Sequence, residues 1–79
     1  MTDIQEDIIR SARSCWARGR TLTYAELAKQ LGYDVDTKPE FARYARTWAY
    51  RCGLACKRSR RDEDSAAVVA AFVTEESSK

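Results

Sequence analysis

Apolar side chains recur every three or four residues from Asp3 to Arg18, with charged side chains between them. This spacing is typical of an amphipathic helix that buries one face. Thr2 or Asp3 can cap its start, and Gly19 stands where a glycine commonly ends a helix. The residues expected on the buried face are Ile4, Ile8, Ile9, Ala12, Cys15 and Trp16.

A second, shorter helix is predicted next, because Thr23 and Glu26 have the spacing of a capping box. Leu22 and Leu27 can pack across this cap as a hydrophobic staple. Gly32 is placed to end the helix after about two and a half turns.

The third predicted helix covers residues 39–52 and follows a loop that starts at residue 33, with Gly53 in position to end it. A helical projection separates two faces clearly. One face is expected in the core and holds Phe41, Tyr44, Ala45, Trp48, Ala49 and Cys52. The opposite face holds Arg43, Arg46, Thr47, Tyr50 and Arg51, and its only acidic member is Glu40.

Residues 54–61 and 66–73 are predicted to form a C-terminal β-hairpin, because the first segment alternates and the second is rich in β-branched residues. The competing interpretation is a fourth helix, since alanines dominate the second segment and Ser65 can cap it. Residues 74–79 are polar and are expected to fray. The predicted fold is therefore α+β, three helices and then a hairpin, with an all-α fold of four helices as the alternative.

Length and composition indicate one small domain over residues 1–79, because the chain has 79 residues with 44% hydrophobic and 33% charged side chains. No apolar run approaches the roughly 20 residues that cross a bilayer. The polar, acidic N-terminus does not resemble a signal peptide. Cys15, Cys52 and Cys56 lack metal-binding spacing and are expected to pack as reduced thiols. We therefore expect a cytoplasmic protein with no membrane partner.

Catalysis is not expected from this sequence. The chain has no histidine and only three glycines, so it lacks the commonest general base and any glycine-rich phosphate loop. The adjacent carboxylates Asp62, Glu63 and Asp64 are expected to be solvated residues of a turn rather than metal ligands. We predict no enzyme activity, no cofactor and no metal.

Positive charge is concentrated in the middle of the chain. Residues 38–61 hold eight Lys or Arg and one Glu, whereas the segments on either side are acidic overall, and the formal net charge is only +2. Such asymmetry is typical of a surface that binds a polyanion.

The segment 20–32, with Thr23-Tyr-Ala-Glu-Leu-Ala28 at its centre, resembles the opening of many bacterial helix-turn-helix units. A similar run occurs in the DNA-binding half of alkylguanine alkyltransferases and alkyltransferase-like proteins. The resemblance implies a small bacterial or phage winged helix-turn-helix domain with a DNA-facing helix. The reactive Pro-Cys-His-Arg motif of the alkyltransferases is absent, so alkyl transfer is not implied.

These observations predict a double-stranded DNA-binding protein, a small transcriptional regulator that reads the major groove with helix 39–52. It would bind as a monomer or a homodimer. The residues expected to face bases are Arg43, Arg46, Thr47 and Tyr50. The residues expected to contact the DNA backbone, some of them from a basic wing formed by the hairpin, are Lys38, Arg51, Lys57, Arg58, Arg60 and Arg61.

The alternative function is a small interaction or inhibitor protein, for example phage-encoded, that uses the same basic face. Its partner would be an acidic protein or a nucleoprotein complex. Arginine and tyrosine are also the residues most common at the centres of protein interfaces. The sequence leaves both functions open.

Overall fold

The computed structural model describes residues 2–73, which form four helices, two short strands and the segments that connect them. Residues 74–79, which are predicted to fray, lie outside the described residues. In chain order the elements are α1 (Asp3–Arg18), β1 (Leu22–Thr23), α2 (Tyr24–Gln30), α3 (Phe41–Arg58), α4 (Asp62–Ala71) and β2 (Phe72–Val73).

The first two helices have the ends that their sequences predict. Thr2 caps α1 in a capping box with Gln5, and Gly19 ends it in the left-handed conformation, with φ of 63°. Thr23 caps α2 in the same way, since its side chain accepts a hydrogen bond from the backbone N–H of Glu26. Local capping chemistry therefore sets both helix starts.

All four helices contribute to the core. Helices α1 and α4 pack on each other and on α3, and α2 packs against α3. Trp16, which the sequence placed in the core, is instead 64% exposed. The buried apolar side chains on the helices are Ile8, Ile9, Ala12, Cys15, Leu27, Ala28, Ala45, Ala49, Cys52, Cys56, Ala67, Val68 and Ala71.

The predicted C-terminal hairpin is wrong. Helix α3 continues through Gly53 to Arg58, and most of the second predicted strand lies in α4. Gly53 is buried where α3 meets α4, and a Cβ atom at this position would lie 3.9 Å from side-chain atoms of Val68 and Val69. The hydroxyl of Ser65 donates to the Gly53 carbonyl at 3.2 Å. Gly53 therefore lies inside a continuous α3 at its contact with α4, where a Cβ atom would make only ordinary van der Waals contacts.

The fourth helix, which was the alternative interpretation, begins at Asp62 and not at a Ser65 cap. Its first turn is acidic, which suits the positive end of the helix dipole. Only Phe72 and Val73 of the second predicted strand are extended, and they pair in parallel with Leu22 and Thr23. A winged helix-turn-helix fold is thus replaced by four helices closed by a two-residue strand pair.

Candidate functional site

The exposed face of α3 holds five positively charged side chains. Its buried face, centred on Ala45, Ala49 and Cys52, fixes the helix to the core. Between Phe41 and Arg58 the helix has no Asp or Glu, so the charges on its opposite face are all positive, and Glu40 stands at its N-cap. The cations that project from α3 are Arg43, Arg46, Arg51, Lys57 and Arg58.

None of these five cations forms an ion pair with another residue between positions 2 and 73. By contrast, Arg10, Arg13 and Lys29 on the other helices pair with nearby carboxylates. The guanidinium of Arg51 lies 5.9 Å from the centroid of the Trp48 ring, which is a cation–π contact. The charge of α3 is therefore available to a ligand.

The four residues expected to face bases lie together. Arg43, Arg46, Thr47 and Tyr50 are exposed and line the same groove, and Tyr50 is 69% exposed. The Thr47 hydroxyl donates to the Arg43 carbonyl at 3.2 Å, so only its oxygen remains to accept a bond from a ligand. Tyr44, expected in the core, is 52% exposed.

The residues predicted to contact the DNA backbone lie in different parts of the structure. Arg51 lies on α3, and Lys57 and Arg58 are in its last turn rather than on a wing. Lys38 precedes the helix and its ammonium lies 5.9 Å from the centroid of Phe41. Arg60 is exposed in the turn after α3, with φ of 58°.

Arg61 has a different environment from the one expected. Its Nε donates to Asp64 at 2.8 Å and its Nη1 donates to Glu6 at 3.3 Å. Arg13 donates to both oxygens of Asp64, at 2.8 Å and 2.9 Å. This network joins α1 to the start of α4, so Arg61 is better placed to stabilise the fold than to bind a ligand.

Asp64 is buried and not solvated, contrary to the expectation for the acidic cluster. Its hydrogen bonds from Arg13, and then those from Arg61, lower the pKa of its carboxyl although burial acts in the opposite direction. No group of three metal-binding side chains occurs within residues 2–73.

Replacing Asp64 with asparagine is expected to lower the free energy of unfolding by roughly 1–2 kcal/mol at neutral pH, because the charge-assisted hydrogen bonds from Arg13 and Arg61 are lost and the exposed Arg13 can be rehydrated. The folded-state pKa lies below the ordinary value of 3.8, so the unfolded state binds more protons between the two pKa values. The stability that Asp64 contributes is complete above that range and disappears as the pH falls through the folded pKa.

Thermal melts from neutral to strongly acidic pH measure this difference. Asp62→Asn is the matched control, since Asp62 is an exposed carboxylate in the same turn. The difference between wild type and Asp64→Asn should shrink in acid, whereas Asp62→Asn should stay close to wild type throughout. A constant difference at all pH values would exclude the ion network as its source.

A groove between α3 and α4 was not foreseen from the sequence. Its volume is about 980 Å³, and α4 supplies the apolar residues Ala66 and Val69 to one side. On a helical projection of 62–71, Val69 lies 100° from the buried Val68 and outside the arc of buried residues. Because apolar residues occur on both sides of this helix, its sequence pattern alone does not reveal the groove.

The three cysteines are free and buried, as expected of packing residues. Burial is the main cause that raises the pKa of Cys52 to about 12, and the neighbouring Cys56 adds to it. Burial also raises the pKa of Cys56. Both thiols are therefore protonated at neutral pH and are poor nucleophiles.

Within residues 2–73, no helix combines the length and the apolar character required to cross a membrane. No protein-family model, curated protein or solved structure matches this chain. The α3 face and the adjoining groove are therefore the features from which a function can be inferred.

Proposed function

We propose that this protein binds double-stranded DNA through the exposed face of α3 and acts as a small transcriptional regulator. The observation that supports the proposal is the row of five cations on one helix without a carboxylate or an ion-pair partner among the described residues. DNA carries a dense row of phosphates, and its affinity for proteins arises largely from neutralising them with Lys and Arg. The predicted basic wing has no part in this proposal.

The dimensions of α3 suit the major groove. Its 18 residues give a length of about 27 Å, and an α-helix fits the width of this groove. Arg43 and Arg46 can each donate two hydrogen bonds to a guanine, whereas Lys57 and Arg58 in the last turn are placed for phosphates. The proposed location is the cytoplasm, where the free thiols would stay reduced.

Fluorescence anisotropy with a labelled random-sequence duplex tests the proposal. If all five α3 cations neutralise phosphates, the logarithm of the association constant should fall with the logarithm of salt concentration with a slope of about −4.5. Absence of binding at low salt would reject the proposal. A slope near zero would show that the α3 cations do not contact phosphates.

A further inference from the structure

The groove between α3 and α4 combines apolar walls with a cationic border. Its base is formed by small or buried residues of both helices, and Tyr50 and Leu54 stand on the α3 side. Arg43, Arg46 and Lys57 border the same space. Among the described residues that line the groove, Asp62 carries the one negative charge.

The apolar part of this groove is open to solvent. Val69 is 75% exposed, Tyr50 is 69% exposed and Leu54 is 37% exposed. DNA phosphates would gain nothing from Val69 or Leu54, since these side chains offer no charge and no hydrogen-bond donor. The groove thus provides contacts that the proposed DNA complex leaves unused.

We infer that this groove binds an acidic amphipathic helix of a partner protein. Its apolar stripe would cover Val69, Leu54 and Tyr50, and its carboxylates would meet the cationic border. Arg43 and Lys57 are separated by 14 positions of α3, or about 21 Å of helix, so a partner helix of about four turns matches the groove. A second copy of the chain fits less well, because its own α3 would bring the same cations to the contact.

The partner helix and DNA compete for the same cations, and this step rests on the proposed DNA binding. Arg43, Arg46 and Lys57 would contact both ligands. Arg51 and Arg58 do not line the groove and remain available to DNA alone. An acidic partner helix would therefore release the protein from DNA.

Two binding measurements test this inference with defined probes. The first uses a labelled synthetic peptide of about 14 residues, with leucine at helical spacings and glutamate elsewhere, and its scrambled isomer. The second uses the labelled random-sequence duplex. Each probe is titrated with the wild type, with Val69→Ser and with Arg58→Ala, which are exposed positions inside and outside the groove.

Val69→Ser should weaken binding of the amphipathic peptide about tenfold and leave binding of the duplex unchanged, because it removes apolar contact but no charge. Arg58→Ala should weaken binding of the duplex and leave binding of the peptide unchanged. The unlabelled peptide should displace the duplex from the wild type.

Other results overturn one conclusion or the other. Equal binding of the scrambled peptide, or no effect of Val69→Ser, would overturn the groove inference by showing attraction of charge alone. Duplex binding without peptide binding would also overturn it and leave the proposed function standing. Peptide binding that depends on Val69, without any duplex binding, would support the groove as a docking site and reject DNA binding.

Discussion

A variant in which Arg43, Arg46, Lys57 and Arg58 are all alanine is expected to bind duplex DNA roughly a thousandfold more weakly than wild type at about 0.1 M salt. Each cation that neutralises a phosphate contributes about 0.9 to the salt slope, so the slope should become shallower by about 3.6. These four side chains are exposed and unpaired among the described residues, so their removal costs no ion pair. Arg51 is retained because it packs on Trp48.

The matched control replaces Arg10, Arg18, Arg20 and Lys29 with alanine. It has the same net charge as the first variant and leaves α3 intact, and its four positions are also exposed. The two ion pairs that it removes, Arg10 with Asp7 and Lys29 with Asp36, lie on the surface and contribute little to stability. Anisotropy titrations at several salt concentrations should show a much smaller loss for this control. Equal losses from the two variants would mean that DNA responds to net charge alone, and would remove α3 as the binding surface.

The helix starts were predictable because capping is a local interaction. The Thr23 capping box depends on residues three positions apart, and it forms as expected. The cationic side of α3 was also predictable, since helical periodicity places Arg43 and Arg46 on the other side of the helix from the buried Ala45 and Cys52. Both predictions required only the geometry of a single helix.

The width of the buried face could not be predicted in the same way. Tyr44 lies at the border of the buried arc of α3, and Trp16 lies within the buried arc of α1 but in its last turn, yet both are largely exposed. Whether such positions are covered depends on where the neighbouring helices end. That information is absent from the period of one helix.

The C-terminal half was mispredicted because its local signals are ambiguous. A glycine after a helical stretch commonly ends the helix, but α3 continues through Gly53, which is buried against α4. Helix α4 has apolar residues on both faces, Val68 in the core and Val69 in solvent, so its helical period is weak. The link from Arg13 to Asp64 joins residues 51 positions apart, which no local pattern reveals.

Proline at Ala66 is expected to destabilise the protein by about 3 kcal/mol or more, because it removes a hydrogen bond inside α4 and clashes with the preceding turn. For a domain of this size the melting temperature should fall by about 12 °C or more. Ala66 is exposed, so the loss would report the helical backbone and not the core. In the hairpin predicted from the sequence, residue 66 would begin a strand, where proline is tolerated.

Asp62→Pro is the control for this measurement. Asp62 is the first residue of α4, where proline fits, and the preceding Arg61 has a non-helical conformation with φ of −99° and ψ of 65°. Thermal melts followed by circular dichroism should therefore show a small change for Asp62→Pro and a large one for Ala66→Pro. Similar small changes in both variants would contradict a helix at this position, and with it the groove wall that Val69 provides.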